Sequence, residues 1–203
     1  MLAWVMDEIN NSTVKKAWLR LPFIGRYSGI WAILLLLPAC GANVLDLSAR
    51  GHIDHLDSLL TSDATLIHVQ NNLGQSSIHY AASHNRLDSF FVLLEHGVDL
   101  DIQDGTGLTP LHMAAGGDHH FLVRELLKKG VQSDSLDSFG NTALHHASIH
   151  GGTRAVQELI SFGVGLDGFN TEKKTALTLA REFKRDEVVK LLNEAMNLAE
   201  GAL

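Results

Sequence analysis

Twelve histidines stand among the 203 residues, and imidazole is the side chain best suited to bind a transition metal or move a proton near neutrality. His146 and His150 are four apart, which sets both rings on one helix face at a spacing able to hold a metal. No glutamate or cysteine nearby completes a ligand set. His119-His120 falls at a tight turn between helices and reads as solvated. Gly116-Gly117 is an isolated glycine pair within a helix hairpin and makes no phosphate cradle. The chain carries no nucleophile elbow, phosphate loop or paired-carboxylate motif. No catalytic residue, cofactor or metal is expected, so function must reside in a binding surface.

The remaining histidines point to the elements that carry that surface. His79, His112 and His145 recur every 33 residues, as do Thr109, Thr142 and Thr175, with Ser76 another 33 before them. Gly74, Gly107 and Gly140 keep the same interval, and so do Gly97, Gly130 and Gly163. Thr109 and Thr142 are suited to cap a helix by accepting a free backbone N–H. Pro110 fits a first helical position, where its missing donor costs nothing. The pairs Ala81-Ala82, Ala114-Ala115 and Ala147-Ser148 allow close helix approach. Leu93-Leu94, Leu126-Leu127 and Leu159-Ile160 end a second helix at core-facing spacing. Gly97, Gly130 and Gly163 follow as helix stops.

A 33-residue period built on Thr109-Pro110-Leu111-His112-Met113-Ala114-Ala115 resembles the ankyrin repeat. The resemblance spans roughly residues 45 to 197 and implies an all-α ankyrin-repeat solenoid of about five helix-turn-helix units. Four lie in phase: 71–103, 104–136, 137–169 and 170 to about 197. A degenerate first unit lies around Leu47–Leu60, its linker to Gly74 one residue longer than in the next unit. In the last, Lys173 replaces the turn glycine, Thr178 the motif histidine and Asn193 the second core leucine. A polar outer face of this kind suits a terminal repeat. The resemblance also gives the motif histidines a structural role, bonding inter-repeat backbone, and makes His146 the occupant of a half-buried leucine position.

The N-terminus is of another kind. Lys15, Lys16, Arg20 and Arg26 precede the apolar run Ile30–Leu37, which ends at Pro38-Ala39-Cys40-Gly41. A basic segment, a short apolar stretch and small residues before a cut describe a secretory signal peptide, and the run is too short to span a membrane. Leu37-Pro38-Ala39-Cys40 resembles the bacterial lipobox, whose cysteine becomes the lipidated first residue of the mature protein. The competing reading is a plain signal peptide with an incidental cysteine. The expected layout is signal peptide 1–39, lipidated linker 40–44, ankyrin domain 45–198 and tail 199–203. Asp7 and Glu8 fit poorly before such a leader, so translation starts at Met6 or near Val14, or a longer form exists. Gly41 in place of aspartate implies the outer membrane, with the domain facing the periplasm and held by its acyl chains.

Composition agrees with this layout. Cys40 is the only cysteine, so no internal disulfide is available and stability must come from stacked apolar cores. Removing a leader with four Lys+Arg and two Asp+Glu from totals of 16 and 23 leaves 12 against 21, a net charge of −9. An acidic domain lacks the basic stripe of a nucleic-acid binder and is steered towards a basic partner.

In the family, contacts come from the turns around each repeat's first glycine and from the two residues after the Ala-Ala pair. Carried onto this chain, the turns supply Leu73, Gln75, Thr106, Leu108, Phe139, Asn141, Glu172 and Lys174. The helix ends supply His84, Ile149, His150 and Phe183. Leu73, Leu108, Phe139, Ile149 and Phe183 would make an apolar row where solvent is expected, the mark of an interaction site. The resemblance therefore implies a protein partner on the concave face. Two classes stay open: an immunity lipoprotein neutralising a toxic effector such as a secreted lipase-type phospholipase, and an envelope adaptor or chaperone-like scaffold.

Overall fold

The computed structural model of the chain describes residues 42–200, which hold ten α-helices, one 3₁₀ turn and no strand. The expected signal peptide, the lipidation site Cys40 and the last residues of the tail lie outside the described residues. The helices pair into five hairpins: α1 (Ala42–Arg50) with α2 (Ile53–Ser62), α3 (Ser77–Ser83) with α4 (Leu87–Glu95), and α5 (Pro110–Gly116) with α6 (His120–Lys128). Then come α7 (Ala143–His150) with α8 (Thr153–Ser161), and α9 (Ala176–Glu182) with α10 (Asp186–Glu200). The first helices stack in chain order as one layer, α1 on α3, α5, α7 and α9. In the second layer α2 meets α4, and α8 meets both α6 and α10.

Between the layers the alternation of small and large residues sets the spacing. Ala81, Ala114, Ala147 and Ala180 are fully buried on the first helices, facing Phe90, Leu93, Leu126 and Leu159 of the second. Leu94 and Ile160 are only half-buried, so Leu93 and Leu159 carry the core in those pairs, while Leu127 joins Leu126 there. Helix α1 starts at Ala42, inside the five residues expected to form a linker, because Val44 and Leu45 have a core to enter. Helix α10 likewise runs on to Glu200, past the expected start of the tail. The extra residue of the first unit lengthens α2 to ten residues where α4, α6 and α8 have nine, and a 3₁₀ turn, Ala64–His68, follows it.

A ladder of side chains locks each hairpin to the next. The Nδ1 atoms of His79, His112 and His145 accept from the backbone N–H of Ser76, Thr109 and Thr142 at 3.1–3.2 Å. That fixes the neutral tautomer with its proton on Nε2, which donates to the carbonyls of Leu108, Asn141 and Lys174 in the following repeat. In the last repeat Thr175 caps α9 by accepting from the Thr178 amide, and no ring is present to reach onward.

The turns form a second ladder. Asn71, Asp104, Asp137 and Asn170 share one register, and each Oδ1 accepts two backbone amides of its own turn at 2.8–3.0 Å. Amides of Gly105, Ser138 and Thr171 then donate to the carbonyls of Leu73, Thr106 and Phe139 one turn back. Such close stacking leaves no room for a side chain at Gly107, whose φ is +80° and whose Cβ would lie 3.0–3.2 Å from the backbone of Asp137 and Ser138. Lys173 keeps the same left-handed conformation in the last turn, with φ +58°.

Candidate protein-binding surface

Two parts of the scaffold were expected to carry the site, the turn tips and the ends of the first helices. At the tips, Leu73, Thr106, Phe139 and Glu172 occupy one register. The first three give their carbonyls to the next turn and so display their side chains. Leu73 is 64% and Phe139 66% exposed, large values for apolar side chains on a well-formed turn. Thr106 is also exposed, but its hydroxyl donates to Asp104 and stiffens its own turn. Lys174 is half-buried and spans Glu172 and Glu182 at 2.8 and 2.7 Å, so this end of the row is an ion-pair cluster.

The turn residues Gln75 and Leu108 and the helix-end residues His84 and His150 come together around a surface cavity of about 450 Å³, to which Tyr80, Met113, Gly116 and Gly117 also contribute. Phe183 is exposed, whereas Ile149 is half-buried and its carbonyl accepts from Arg185 Nε at 2.9 Å. The expected single apolar row is therefore broken: Leu73 and Phe139 project from the tips, while Leu108 and Ile149 are partly absorbed into the scaffold.

Two sequence expectations are corrected. Asn141 is 8% exposed rather than displayed, because its Oδ1 accepts from Asn170 Nδ2 at 2.9 Å and its amide reaches Asp137. His119 is not a solvated turn residue: its Nε2 donates to the Ser83 carbonyl at 3.1 Å, tying one hairpin to the preceding first helix. Arg86 and Arg185 do the same to the carbonyls of Ala49 and Ile149. Cations or N–H donors near exposed carbonyls at a helix C-terminus complement its partial negative charge. The surface also includes two residues the motif-based reading omitted. Leu136 and Phe169, again 33 apart, are 52% and 67% exposed in the segments that lead into consecutive turns. Their register was visible, but the family's contact positions drew attention elsewhere.

Electrostatics around the site follow from the two ladders. Burial holds His79, His112 and His145 below the ordinary histidine range, more strongly than the carbonyl partners raise them. Burial pushes the Asp104 and Asp137 carboxyls up. The hydrogen bonds they accept outweigh it and leave both below the usual range, those at Asp137 coming from His146, the Asn141 and Phe139 amides and the Asn141 side chain. His146 Nε2 is 2.8 Å from Asp137, and His150 Nδ1 is 2.9 Å from the His146 carbonyl. The histidine pair thus spends one nitrogen each on the scaffold. Among the described residues no three His, Cys, Asp or Glu side chains gather as a metal set.

A repeated helix hairpin with polar turns, an unbroken core and a displayed apolar edge defines a protein-interaction scaffold. A family model described as ankyrin repeats (3 copies) matches residues 44–137, 78–162 and 117–199, and the chain belongs to that family. No curated protein matches it.

Proposed function

We propose that the chain is a lipid-anchored protein of the bacterial envelope whose concave face binds and neutralises a secreted toxic effector, such as an antibacterial phospholipase. The observation that carries a partner is the display of Leu73, Phe139, Leu136 and Phe169 at and before well-formed turns. Such apolar exposure has no folding benefit and marks an interface. The leader and Leu37-Pro38-Ala39-Cys40 support placement at a membrane facing the periplasm, with Gly41 favouring the outer one. An inhibitor tethered there would guard the lipid surface that such an effector attacks.

The test is genetic and biochemical together. The product of the adjacent open reading frame is exported to the periplasm of a host with and without this chain. Killing that the chain prevents, with a stable complex of the two proteins and loss of protection in a Phe139→Ala/Phe169→Ala variant, is the expected outcome. An adjacent product that is harmless, and whose activity or yield rises in the presence of the chain, would replace the inhibitor by the scaffold reading.

A further inference from the structure

The cavity between the second and fourth hairpins owes its existence to one local departure from the repeat. Gly116-Gly117 stands where the neighbouring units carry Ser83-His84 and Ile149-His150. With those side chains missing, a slot opens over Met113 and Leu108, with a ring pair on either side. Tyr80 and His84 stack with centroids 6.0 Å apart and planes 10° from parallel, and His146 and His150 stack at 6.3 Å and 8°. A Cβ built on Gly116 would lie 3.6 Å from the His150 ring, so floor and wall are in contact distance.

The proton positions in the walls follow from the backbone. His84 Nδ1 lies 3.0 Å from the Tyr80 carbonyl and His150 Nδ1 2.9 Å from the His146 carbonyl. The Ser83 hydroxyl, 2.9 Å from the same His84 nitrogen, donates to the Tyr80 carbonyl at 3.2 Å and so meets Nδ1 as an acceptor. A carbonyl can only accept, so in the neutral ring Nδ1 carries the proton and Nε2 is left as an acceptor. Among the described residues neither Nε2 has a hydrogen-bond partner. No lysine, arginine, aspartate or glutamate lines the slot. The inter-repeat turns from Gly97 to Asn170 carry Asp99, Asp101, Asp104, Asp134, Asp137 and Asp167 and no basic residue.

We infer that this slot receives an arginine side chain of the partner, an inference that rests on the concave-face reading above. The stem would lie on Leu108 and Met113, and the planar guanidinium between the ring pairs would donate to the Nε2 atoms of His84 and His150. Guanidinium is flat, stacks on rings and carries several fixed donors, which an ammonium does not match. An aromatic residue would fill the space and cover both exposed acceptors without pairing them, at a cost. A carboxylate offers no donor and meets an acidic surround.

The full chain, in detergent micelles and labelled with ¹⁵N at glycine and histidine, is titrated with blocked Gly-Arg-Gly, Gly-Lys-Gly, Gly-Tyr-Gly and Gly-Glu-Gly peptides. The arginine peptide should give saturable shifts at Gly116, Gly117 and the Nε2 of His84 and His150. The lysine peptide should bind about tenfold more weakly, the equivalent of ~1.4 kcal/mol, and the glutamate peptide not at all. Gly116→Leu should abolish the response while leaving the melting curve in place, and His150→Leu should weaken it if the first variant fails to fold. No shift at these residues, equal shifts from all peptides, or a stronger response to tyrosine would overturn the proposal. A native partner whose affinity is untouched by Gly116→Leu but lowered by Phe139→Ala sinks the slot alone. One indifferent to both removes the concave-face reading as well.

Discussion

Lowering the pH should unlock the array through His79, His112 and His145. Each ring accepts a backbone amide at Nδ1 and donates from Nε2. A proton added at Nδ1 would set two donors against each other. The folded-state pKa of each is lowered by burial, while in the unfolded chain it sits near the ordinary ~6.5. Above that value both states are neutral and the contribution is complete. Below it the unfolded chain takes up protons that the folded one refuses, so stability falls until the folded-state pKa is reached. Each such histidine removes up to about 1.4 kcal/mol per pH unit, so three remove up to about 4 kcal/mol between about pH 7.5 and 5.5. The lowered carboxyls of Asp104 and Asp137 act in a separate window, below about 3.8. Urea unfolding across the histidine window, followed by circular dichroism, measures the slope. His112→Gln removes one titrating ring. Its destabilisation should therefore shrink by up to about 1.4 kcal/mol from the upper to the lower end. A flat profile, or a His112→Gln penalty that stays constant with pH, would refute the tautomer argument.

Phe139→Ala should weaken partner binding by ~2 kcal/mol or more, the usual loss for a central anchor, with an unchanged melting curve. Exposed Gln157→Ala should do neither, and calorimetry on both variants decides. Arg124 is no neutral control, because it grips Glu158 through Nε and Nη2 at 2.9 and 2.5 Å. Arg124→Ala should lower the melting temperature without touching the turn tips. Gly107→Ala and Gly97→Ala share a positive φ, which costs an alanine ~1–2 kcal/mol. Only Gly107 has a neighbouring turn in the way, so its variant should be clearly the less stable by urea unfolding. Ser148 sits in the register of Ala82 and Ala115 with a buried, unpartnered hydroxyl. Ser148→Ala should therefore gain ~1 kcal/mol; a loss would mean that the hydroxyl has a partner. Cys40→Ala should abolish palmitate-analogue labelling and membrane fractionation, and unchanged labelling would remove the anchor.

The repeat was legible because each local signal serves a local need. Thr109, Pro110, Gly107 and the Nδ1 side of His112 satisfy caps and turns within one hairpin, so their spacing implied the fold. What a side chain does across a junction was harder to read. Asn141 looked like a turn residue facing a partner, yet Asn170 in the next turn claims it. His119 looked solvated until Ser83, 36 residues earlier, supplied a carbonyl. Exposure suffered in the same way. Leu73 and Phe139 were anticipated correctly as displayed, but Ile149 and Leu108 are half-covered by neighbouring units, which no single-repeat pattern reports.

The bonds from Arg86, His119 and Arg185 back to the preceding first helix also bear on whether the units are interchangeable. The corresponding place in the fourth hairpin is Gly152, which has no side chain to donate. There Asp118 reaches forward instead, accepting the Ala155 amide at 2.8 Å. A side chain at 152 would crowd both the Ala115 carbonyl and Asp118. The polarity of this one junction is thus reversed relative to its neighbours. Duplicating the third unit or exchanging it with the fourth would strand a carboxylate at one seam and a carbonyl at another. Although the hairpins share a length and a motif, each is written for its own place in the row.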